Sequence, residues 1–276
     1  MKNVWLITGC STGFGRALAQ ELLENGYRVA VTARNIDQVK DLADAYPETA
    51  IALTLDVTIP TQIKEAVDAT ITRFGQIDVL VNNAGIGYFA AIEESEDEEV
   101  RKMFEINVFG LARMTQEVLP YMRKQKSGHI LNIASIGGLR SFPAVGFYNA
   151  TKYAVDGLSE SLHKEVSPLG IKVTIIAPSG FRTDWAGRSA KNSAISIDDY
   201  ATTAGKNKGD IRGYSGSQPG DPVKAAKAMI LVTETENPPL RLLLGKAALK
   251  GARIKLDELK HDFDTWADVT EGADFN

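Results

Sequence analysis

Tyr148 and Lys152 are the first residues whose types and spacing could do chemistry. They are four apart in the stretch "YNATK", so on a helix their side chains share one face. A free tyrosine has a pKa of about 10, too high for efficient proton exchange near neutrality. An ammonium about 4 Å away favours the phenolate by up to about 4 kcal/mol, or roughly three pKa units. The pair predicts a proton-exchanging tyrosine, although a tyrosine packed beside a solvated lysine gives the same pattern.

Ser135 precedes this tyrosine by 13 residues and follows an apolar run that predicts a strand. A hydroxyl at a strand end can hydrogen-bond a substrate carbonyl and stabilise charge that develops on its oxygen. Taken alone, Ser135 is equally well explained as a strand-end cap. Asn107, further upstream, is equally well explained as a buried polar residue that ties a helix to the sheet.

The stretch "TGCSTGFG" (8–15) follows the first predicted strand and opens the first helix. Gly9 permits a tight turn, Gly13 lets the backbone approach a pyrophosphate, and Gly15 lets the helix pack closely on the sheet. Phosphates would then lie on free N–H groups at a helix N-terminus. Many strand-to-helix turns are glycine-rich, so the turn predicts a nucleotide site only together with the other motifs.

The spacing T-G-x-x-x-G-x-G, followed by several motifs in order, resembles the compact branch of the short-chain dehydrogenase/reductase family. The matching stretches are "DV" (56–57), "NNAG" (82–85), "FEINVFG" (104–110), "IASIGG" (133–138), "YNATK" (148–152) and "PSGFRTDW" (178–185). The resemblance runs along nearly the whole chain. One departure is Ser179, which stands where the family has a glycine after the proline, with Gly180 one place later.

The resemblance implies a catalytic set and a dinucleotide site. The catalytic set is Ser135, Tyr148, Lys152 and Asn107, in which Asn107 holds a water that links Lys152 to solvent. We expect Asn82 to be structural, bonding backbone across the sheet. The implied cofactor-binding residues are Gly9, Ser11, Gly13, Phe14, Gly15, Arg34, Asp56, Val57, Asn83, Ala84, Gly85, Tyr148, Lys152, Pro178, Gly180 and Thr183.

The stretch "VTARN" (31–35) bears on which dinucleotide is bound. An acidic residue about twenty positions after the glycine turn usually accepts hydrogen bonds from an unphosphorylated ribose. Ala33 removes the repulsion that such an acid would exert on a phosphate, and Arg34 offers a planar fork to a 2′-phosphate. Ser11 could add a hydroxyl. We therefore expect NADP(H), with NAD the less favoured cofactor and a surface arginine the alternative explanation.

Alternating apolar runs and amphipathic stretches predict the elements that must position these residues. Gly26 and Gly75 stand where the helices before them should end. The pattern, with the resemblance, predicts an α/β fold: a single doubly wound Rossmann-type domain over 1–276, with a seven-stranded, mainly parallel sheet and helices on both faces. The predicted strands are 4–8, 29–32, 51–55, 79–82, 130–134, 173–177 and 240–244.

Two segments depart from this rhythm. Residues 186–220 are rich in Gly, Ser, Ala, Thr and Lys, which predicts a substrate lid or, nearly as well, a surface insertion. Residues 246–276 predict a C-terminal helical extension that covers the substrate crevice, packs on a neighbouring subunit or covers the outer sheet, with the last favoured. Its apolar residues at helical spacing are Leu249, Ile254, Leu256, Leu259, Phe263 and Trp266.

The expected reaction is hydride transfer between nicotinamide and a ketone, aldehyde or secondary alcohol, with Tyr148 as general acid and base. A non-catalytic dinucleotide sensor and an epimerase or dehydratase of the extended branch are the alternatives. Such sensors tend to lose the Tyr/Lys pair, and the extended enzymes space their glycines differently. An apolar substrate is expected from candidate wall residues near the mouth: Ile86, Phe89, Leu139, Phe142, Phe181 and Trp185.

Composition excludes several other classes. A net charge of -4 and a pI near 5.5 provide no basic surface for nucleic acid. No apolar run approaches the roughly twenty residues of a membrane helix, the start enters a strand at once, and one cysteine fits a reducing compartment, so we expect a cytoplasmic protein. His129, His163 and His261 lack ligand spacing, so no metal is expected. The resemblance implies a homodimer or homotetramer that pairs through helices around 98–125 and 148–166.

Overall fold

Parallel strands form the central sheet in the computed structural model of the protein, which describes residues 2–187 and 190–275. The strands in chain order are β1 (Val4–Ile7), β2 (Arg28–Ala33), β3 (Ala50–Thr54), β4 (Val79–Asn82), β5 (Gly87–Phe89), β6 (Gly128–Ile133), β7 (Ile171–Pro178), β8 (Ala190–Asn192) and β9 (Arg241–Leu244). Seven of them make the sheet in the order β3-β2-β1-β4-β6-β7-β9, and every neighbouring pair is parallel. The predicted α/β class and seven-stranded parallel sheet are confirmed.

Helices alternate with the strands along the chain, as the predicted pattern requires. They are α1 (Gly13–Glu24), α2 (Lys40–Ala45), α3 (Pro60–Phe74), α4 (Asp97–Phe104), α5 (Leu111–Gln125), α6 (Gly146–Val166), α7 (Lys206–Gly213), α8 (Pro222–Glu234), α9 (Lys246–Thr265) and α10 (Ala267–Glu271). Gly26 and Gly75 adopt φ of 75° and 83° just beyond α1 and α3, so both predicted helix ends are confirmed.

Two apolar layers cover the two faces of the sheet. Trp5 and Ile7 of β1 point to one face, where α1 and α8 cover them, whereas Leu6 between them points to the other, against α3 and α5. Successive side chains of a strand face opposite ways, so a strand buried on both faces is apolar throughout. All four residues of β1 are fully buried.

The strand order reverses between β1 and β4, which are neighbours although β2 and β3 intervene in the chain. The connections after these two strands leave in opposite directions and open a crevice beyond their carboxyl ends. Ligands of open α/β sheets bind in that position. The glycine turn after β1 and the stretch "NNAG" after β4 both lie there.

A second, two-stranded sheet forms outside the central one. Its strands β5 and β8 pair in parallel, so residues 190–192 lie against 87–89. The sequence patterns did not predict this sheet, because two three-residue strands are too short to show alternation. It attaches the segment after β7 to the segment after β4. The segment after β7 is also closed on itself, because an isolated β-bridge joins Phe181 near its start to Gly220 near its end.

Candidate active site

The glycine turn between β1 and α1 has a backbone that only glycine tolerates well. Gly9 and Gly13 adopt φ of +73° and +62°. A Cβ atom on Gly15 would lie 2.4 Å from the Gly9 carbonyl oxygen and 2.5 Å from Asn83 Nδ2. Gly15 therefore lets the start of α1 lie close to the ends of β1 and β4, and it also keeps the shape of the turn itself. Across the cleft, Thr183 lies opposite Gly13, 3.5 Å from where its Cβ would be.

Asn83 and Thr8 fasten the glycine turn to the end of β4. Asn83 Nδ2 donates to the carbonyl oxygens of Thr8 at 2.8 Å and Gly9 at 2.9 Å. Thr8 Oγ1 accepts from the backbone N–H groups of Asn83 and Ala84, both at 2.9 Å. Asn82 is buried and structural, as expected, but its Nδ2 donates to the side chains of Asn132 and Thr115 rather than to backbone.

The expected adenosine end of the cleft lies beyond β2 and β3. Arg34 is exposed directly after β2 and lines the cleft beside Ala33. Among the described residues, Arg34 has no hydrogen-bond or ion-pair partner, so its guanidinium group is not held by the protein. Asp56 Oδ1 accepts from the N–H and hydroxyl of Thr58 at 2.9 and 2.7 Å, which orders the turn before α3.

Ser135, Tyr148 and Lys152 come together where β6 ends. Ser135 begins a short helical turn, Ile136–Gly138, and its Oγ accepts from Gly137 N–H at 3.0 Å. Tyr148 and Lys152 lie on the inward side of α6, 8% and 6% exposed. The Tyr148 hydroxyl is hydrogen-bonded by Ser135. Lys152 Nζ donates to the Ile133 carbonyl at 2.7 Å and lies 5.6 Å from the centre of the Tyr148 ring.

Burial dominates the pKa values of this pair. It raises the pKa of the Tyr148 hydroxyl above its usual range, and the hydrogen bond from Ser135 acts in the opposite direction. Burial lowers the pKa of Lys152 to about 8. The expectation that Lys152 lowers the pKa of Tyr148 does not hold for the protein alone. Removing both groups from water disfavours both charged forms, and the ammonium group is turned to Ile133.

Asn107 lies in a π-helical turn, Glu105–Gly110, that interrupts the run from α4 to α5. It is buried, and its Oδ1 accepts from Ile86 N–H at 2.8 Å. Its Nδ2 donates to the Ile86 carbonyl at 2.9 Å and to Thr151 Oγ1 at 3.2 Å. The side chain thus fixes the segment after β4 against α6 at Thr151, the residue directly before Lys152. Turns of this type often occur at functional sites.

The segment after β7 forms the third wall of the cleft. Ser179 N–H donates to the Leu244 carbonyl at 3.0 Å, so the residue that departs from the family pattern is held by β9. A Cβ on Gly180 would lie 2.8 Å from the Tyr214 hydroxyl, so the Tyr214 side chain approaches the backbone closely at that place. Thr183 Oγ1 accepts from Trp185 N–H at 3.4 Å. Phe181 packs on Phe14 of the glycine turn, with ring centres 5.0 Å apart.

Four of the six expected wall residues line the cleft: Ile86, Phe142, Phe181 and Trp185. The other two expectations were wrong. Phe89 is fully buried behind Trp185, because the pairing of β5 with β8 turns it inward, and the Arg212 guanidinium covers its other side. Leu139 packs instead with Ile136 and α9.

Other wall residues were missed by sequence analysis, because only the fold brings them to the cleft. The residues that α9 contributes are spaced three and four apart, a pattern that could have indicated one helix face. The missed residues are Tyr88, Arg140, Val145, Asn149, Ile211, Tyr214, Ala247, Lys250, Gly251 and Ile254.

One continuous cleft of about 1710 Å³ joins these parts. Gly15 and Asn107 do not line the cleft, but they contact residues that do. The expected site residues on its surface are Gly9, Ser11, Gly13, Phe14, Arg34, Asp56, Val57, Asn83, Ala84, Gly85, Ser135, Tyr148, Lys152, Pro178, Gly180 and Thr183.

Residues 2–187 and 190–275 contain neither a cluster typical of a metal site nor a helix typical of a membrane span. No three His, Cys, Asp or Glu side chains within those ranges are grouped to hold a metal ion. No helix there is long and apolar enough to span a bilayer. The one cysteine, Cys10, is buried in the glycine turn, and burial raises the pKa of its thiol to about 12, which leaves it an inert filler.

Comparisons with known proteins agree with this geometry. The family model described as short chain dehydrogenase matches residues 3–194. The chain is 38% identical over 253 residues to a 3-ketodihydrosphingosine reductase of Bacteroides thetaiotaomicron, covering 88% of each protein. It superposes on a short-chain dehydrogenase from Streptomyces avermitilis with a TM-score of 0.92, 42% identity and coverage of 100% and 99%. It also superposes on ElxO with NADP bound, with a TM-score of 0.75, 30% identity and coverage of 91% and 100%.

Proposed function

The chain belongs to the short-chain dehydrogenase/reductase family of NAD(P)-dependent oxidoreductases, and we propose that it is an NADP(H)-dependent carbonyl reductase. One observation carries this proposal. A single cleft is lined by Arg34 after β2, the glycine turn after β1, and the Ser135, Tyr148 and Lys152 cluster where β6 ends, and these strands follow one another in that order across the sheet. That order matches an extended dinucleotide with its adenosine at Arg34 and its nicotinamide at Tyr148.

The residues of the cleft fit a dinucleotide. At the narrowest part of the turn, a Cβ on Gly15 would displace the Gly9 carbonyl and the Asn83 side chain, so the turn keeps its shape only with glycine there. Thr12 precedes α1 and, within the described ranges, gives its first turn no side-chain cap. The N–H groups of that turn are therefore available to a pyrophosphate. When bound, the nicotinamide donates or accepts the hydride.

Tyr148 acts as the acid in reduction and as the base in oxidation. Burial raises its pKa, so the hydroxyl is protonated near neutrality and donates a hydrogen bond to a carbonyl oxygen; the proton transfers as negative charge develops on that oxygen and makes it the stronger base. Ser135 donates its one hydroxyl proton to Tyr148 in the protein alone; when a carbonyl binds, this proton turns to the carbonyl oxygen and stabilises the charge that develops there.

Lys152 resupplies the proton that Tyr148 gives up. Its pKa of about 8 lets it exchange protons near neutral pH, and it is buried beside the tyrosine ring. Asn107 positions this machinery through Ile86 and Thr151. The water relay that the family resemblance implies for Asn107 is part of the proposal.

The preference for NADP(H) rests on Arg34. Position 33 holds alanine rather than an acidic residue. The unpaired Arg34 guanidinium, which lines the adenosine end of the cleft, can bind a 2′-phosphate through two parallel hydrogen bonds. The similarity to ElxO with NADP bound supports this choice, with NAD the alternative. Cells generally keep NADPH reduced, which favours carbonyl reduction as the working direction.

The substrate is proposed to be an apolar ketone or aldehyde, or the corresponding alcohol. Ile86, Phe142 and Trp185 face the space beside Tyr148, and the segment within 186–220 covers it as a lid. The similarity to a reductase of a keto lipid precursor fits an apolar substrate. The sensor alternative is disfavoured because Ser135, Tyr148 and Lys152 are all present in one cluster. The epimerase or dehydratase alternative is disfavoured by the spacing of Gly9, Gly13 and Gly15.

Replacing Tyr148 with Phe tests the proposal. A panel of ketones and alcohols is assayed with NADPH and NADH by the absorbance of the reduced nicotinamide. We expect Tyr148→Phe to lower turnover by about 100-fold or more while NADPH still binds, because general acid catalysis contributes that much. Tyr153→Phe, an exposed tyrosine on the same helix, is the matched control. Undiminished turnover in Tyr148→Phe would refute the mechanism.

The resemblance also supports assembly as a homodimer or homotetramer. The regions expected to pair, around 98–125 and 148–166, carry exposed apolar side chains. Phe109, Tyr153 and Leu158 are 51%, 41% and 45% exposed. Such side chains on neighbouring helices are typical of subunit contacts.

A further inference from the structure

One side of α9 carries an exposed apolar stripe, which consists of Leu249, Leu256 and Phe263. Their side chains are 44%, 66% and 66% exposed. They recur every seven residues, which is nearly two helical turns, so they line up along one side of the helix. Trp266, 62% exposed, follows directly after the helix. Three such residues in register are unlike the scattered apolar residues found on most surfaces.

The first half of α9 packs on the rest of the protein, whereas in the second half Glu258 reaches back to Arg140 at 3.8 Å. Ala248, Gly251 and Ala252 are buried, and the helix contacts β9 and the turn at Ile136–Gly138. From residue 260 to 275, all residues except the half-buried Ala267 are exposed. The apolar stripe therefore runs past the edge of the domain, along a part of the helix that is accessible to another molecule.

Charge divides α9 into two halves of opposite sign. The first half, 246–255, has basic residues and no acidic ones, whereas the second half, 256–265, has four acidic residues and one lysine. A parallel pair of these helices would oppose like charges, and an antiparallel pair would oppose unlike charges. The basic residues are Lys246, Lys250, Arg253 and Lys255; the acidic residues are Asp257, Glu258, Asp262 and Asp264.

We propose that the apolar stripe is a self-association surface, on which α9 of a second copy of the chain lies antiparallel about a two-fold axis near Leu256. A two-fold axis makes the contact closed and self-complementary. Leu249 of one copy then packs near Phe263 of the other, and the two Leu256 side chains meet. Arg253 of one copy lies alongside Asp257 of the other. Within the described part of the chain neither residue makes an ion pair, so both are available for this contact.

Sedimentation velocity over a range of protein concentrations tests the proposal. The double variant Leu256→Glu/Phe263→Glu should lose one association step, tetramer to dimer or dimer to monomer, with at least a tenfold rise in that dissociation constant. Leu231→Glu on α8 is the matched control, because Leu231 is also 66% exposed. It should leave the dissociation constant unchanged. Circular dichroism spectra of all variants should coincide, because the substituted side chains lie at the surface and the fold of each chain is unchanged. The same association in the double variant and the wild type would refute the proposal.

Charge reversal tests the antiparallel orientation separately from the apolar contact. Arg253→Asp should weaken association at least threefold because it opposes two acidic side chains, and adding Asp257→Arg should restore it. No restoration would refute the antiparallel pairing. A wild-type chain that is monomeric but sediments with phosphatidylserine–phosphatidylcholine vesicles would also refute the proposal, since a lipid surface would then be the occupant.

Discussion

The two ends of the cleft are built in different ways. The dinucleotide end depends on backbone geometry within one short turn, where Gly9, Gly13 and Gly15 stand within seven residues of one another. The substrate end is assembled from side chains far apart in sequence, such as Ile86, Phe142, Trp185 and Ile254. At the glycine turn, the groups proposed to bind the pyrophosphate are main-chain N–H groups, which side-chain substitutions leave in place. The second end can change its preferences through single side chains.

Gly15→Ala is expected to give the largest effect, because it strains the backbone of the dinucleotide end. The new Cβ would lie 2.4 Å from the Gly9 carbonyl oxygen, so the turn must move. A displacement near 1 Å costs about 100-fold in kcat/KM, and the overpacking costs about 1–3 kcal/mol of stability. Steady-state kinetics and urea unfolding measure the two.

Gly209→Ala at the substrate end is the matched control. A Cβ there meets nothing within 4 Å, and the position lies inside α7. Alanine in a helix interior should raise stability by about 0.5–1 kcal/mol and leave NADPH kinetics unchanged. If both variants behaved alike, the contrast between the two ends would fail.

Features that depend on local sequence could be predicted, whereas features that depend on contacts between distant segments could not. The strands before the crevice were predicted to within about two residues, because strands buried on both faces are continuously apolar. The position of Arg34 and of the Tyr148–Lys152 pair on the cleft could be predicted from residue type and spacing. Phe89 was misassigned and the small sheet missed, because the position of residues 190–192 against 87–89 depends on contacts between distant segments. The π-helical turn that positions Asn107 likewise has no recognised sequence pattern.

Arg34→Ala should give the second largest effect, confined to one cofactor. Hydrogen bonds to a charged group contribute about 1.5–3 kcal/mol, so KM for NADPH should rise roughly 10- to 100-fold while KM for NADH changes little. Arg34→Lys keeps the positive charge but loses the planar fork, so its KM for NADPH should lie between those of the wild type and Arg34→Ala. Equal effects on both cofactors would refute the role given to Arg34.

Where the two ends meet, Lys152 should determine the pH dependence of reduction. With a pKa of about 8, it is protonated below that pH and loses its proton above it. The reductive rate should therefore be level below about pH 8 and fall about tenfold per pH unit above it. Lys152→Arg keeps its positive charge at higher pH. We expect this variant to be slower than the wild type, but its rate should stay level above about pH 8. A wild-type profile that stays level to pH 10 would exclude Lys152 as the proton source.

Trp185→Ala should give the smallest effect and confine it to the substrate end. The Trp185 ring lies 4.8 Å from the centre of the Tyr148 ring and limits the space beside the hydroxyl. Removing it should favour bulky over small ketones by about 1 kcal/mol, roughly fivefold in the ratio of kcat/KM values. KM for NADPH should stay the same, because the glycine turn is untouched, and Trp185→Phe should retain most of the original preference. A change in KM for NADPH as large as the change in substrate preference would show that side chains at the substrate end also shape the dinucleotide end, and the two could no longer be treated as independent.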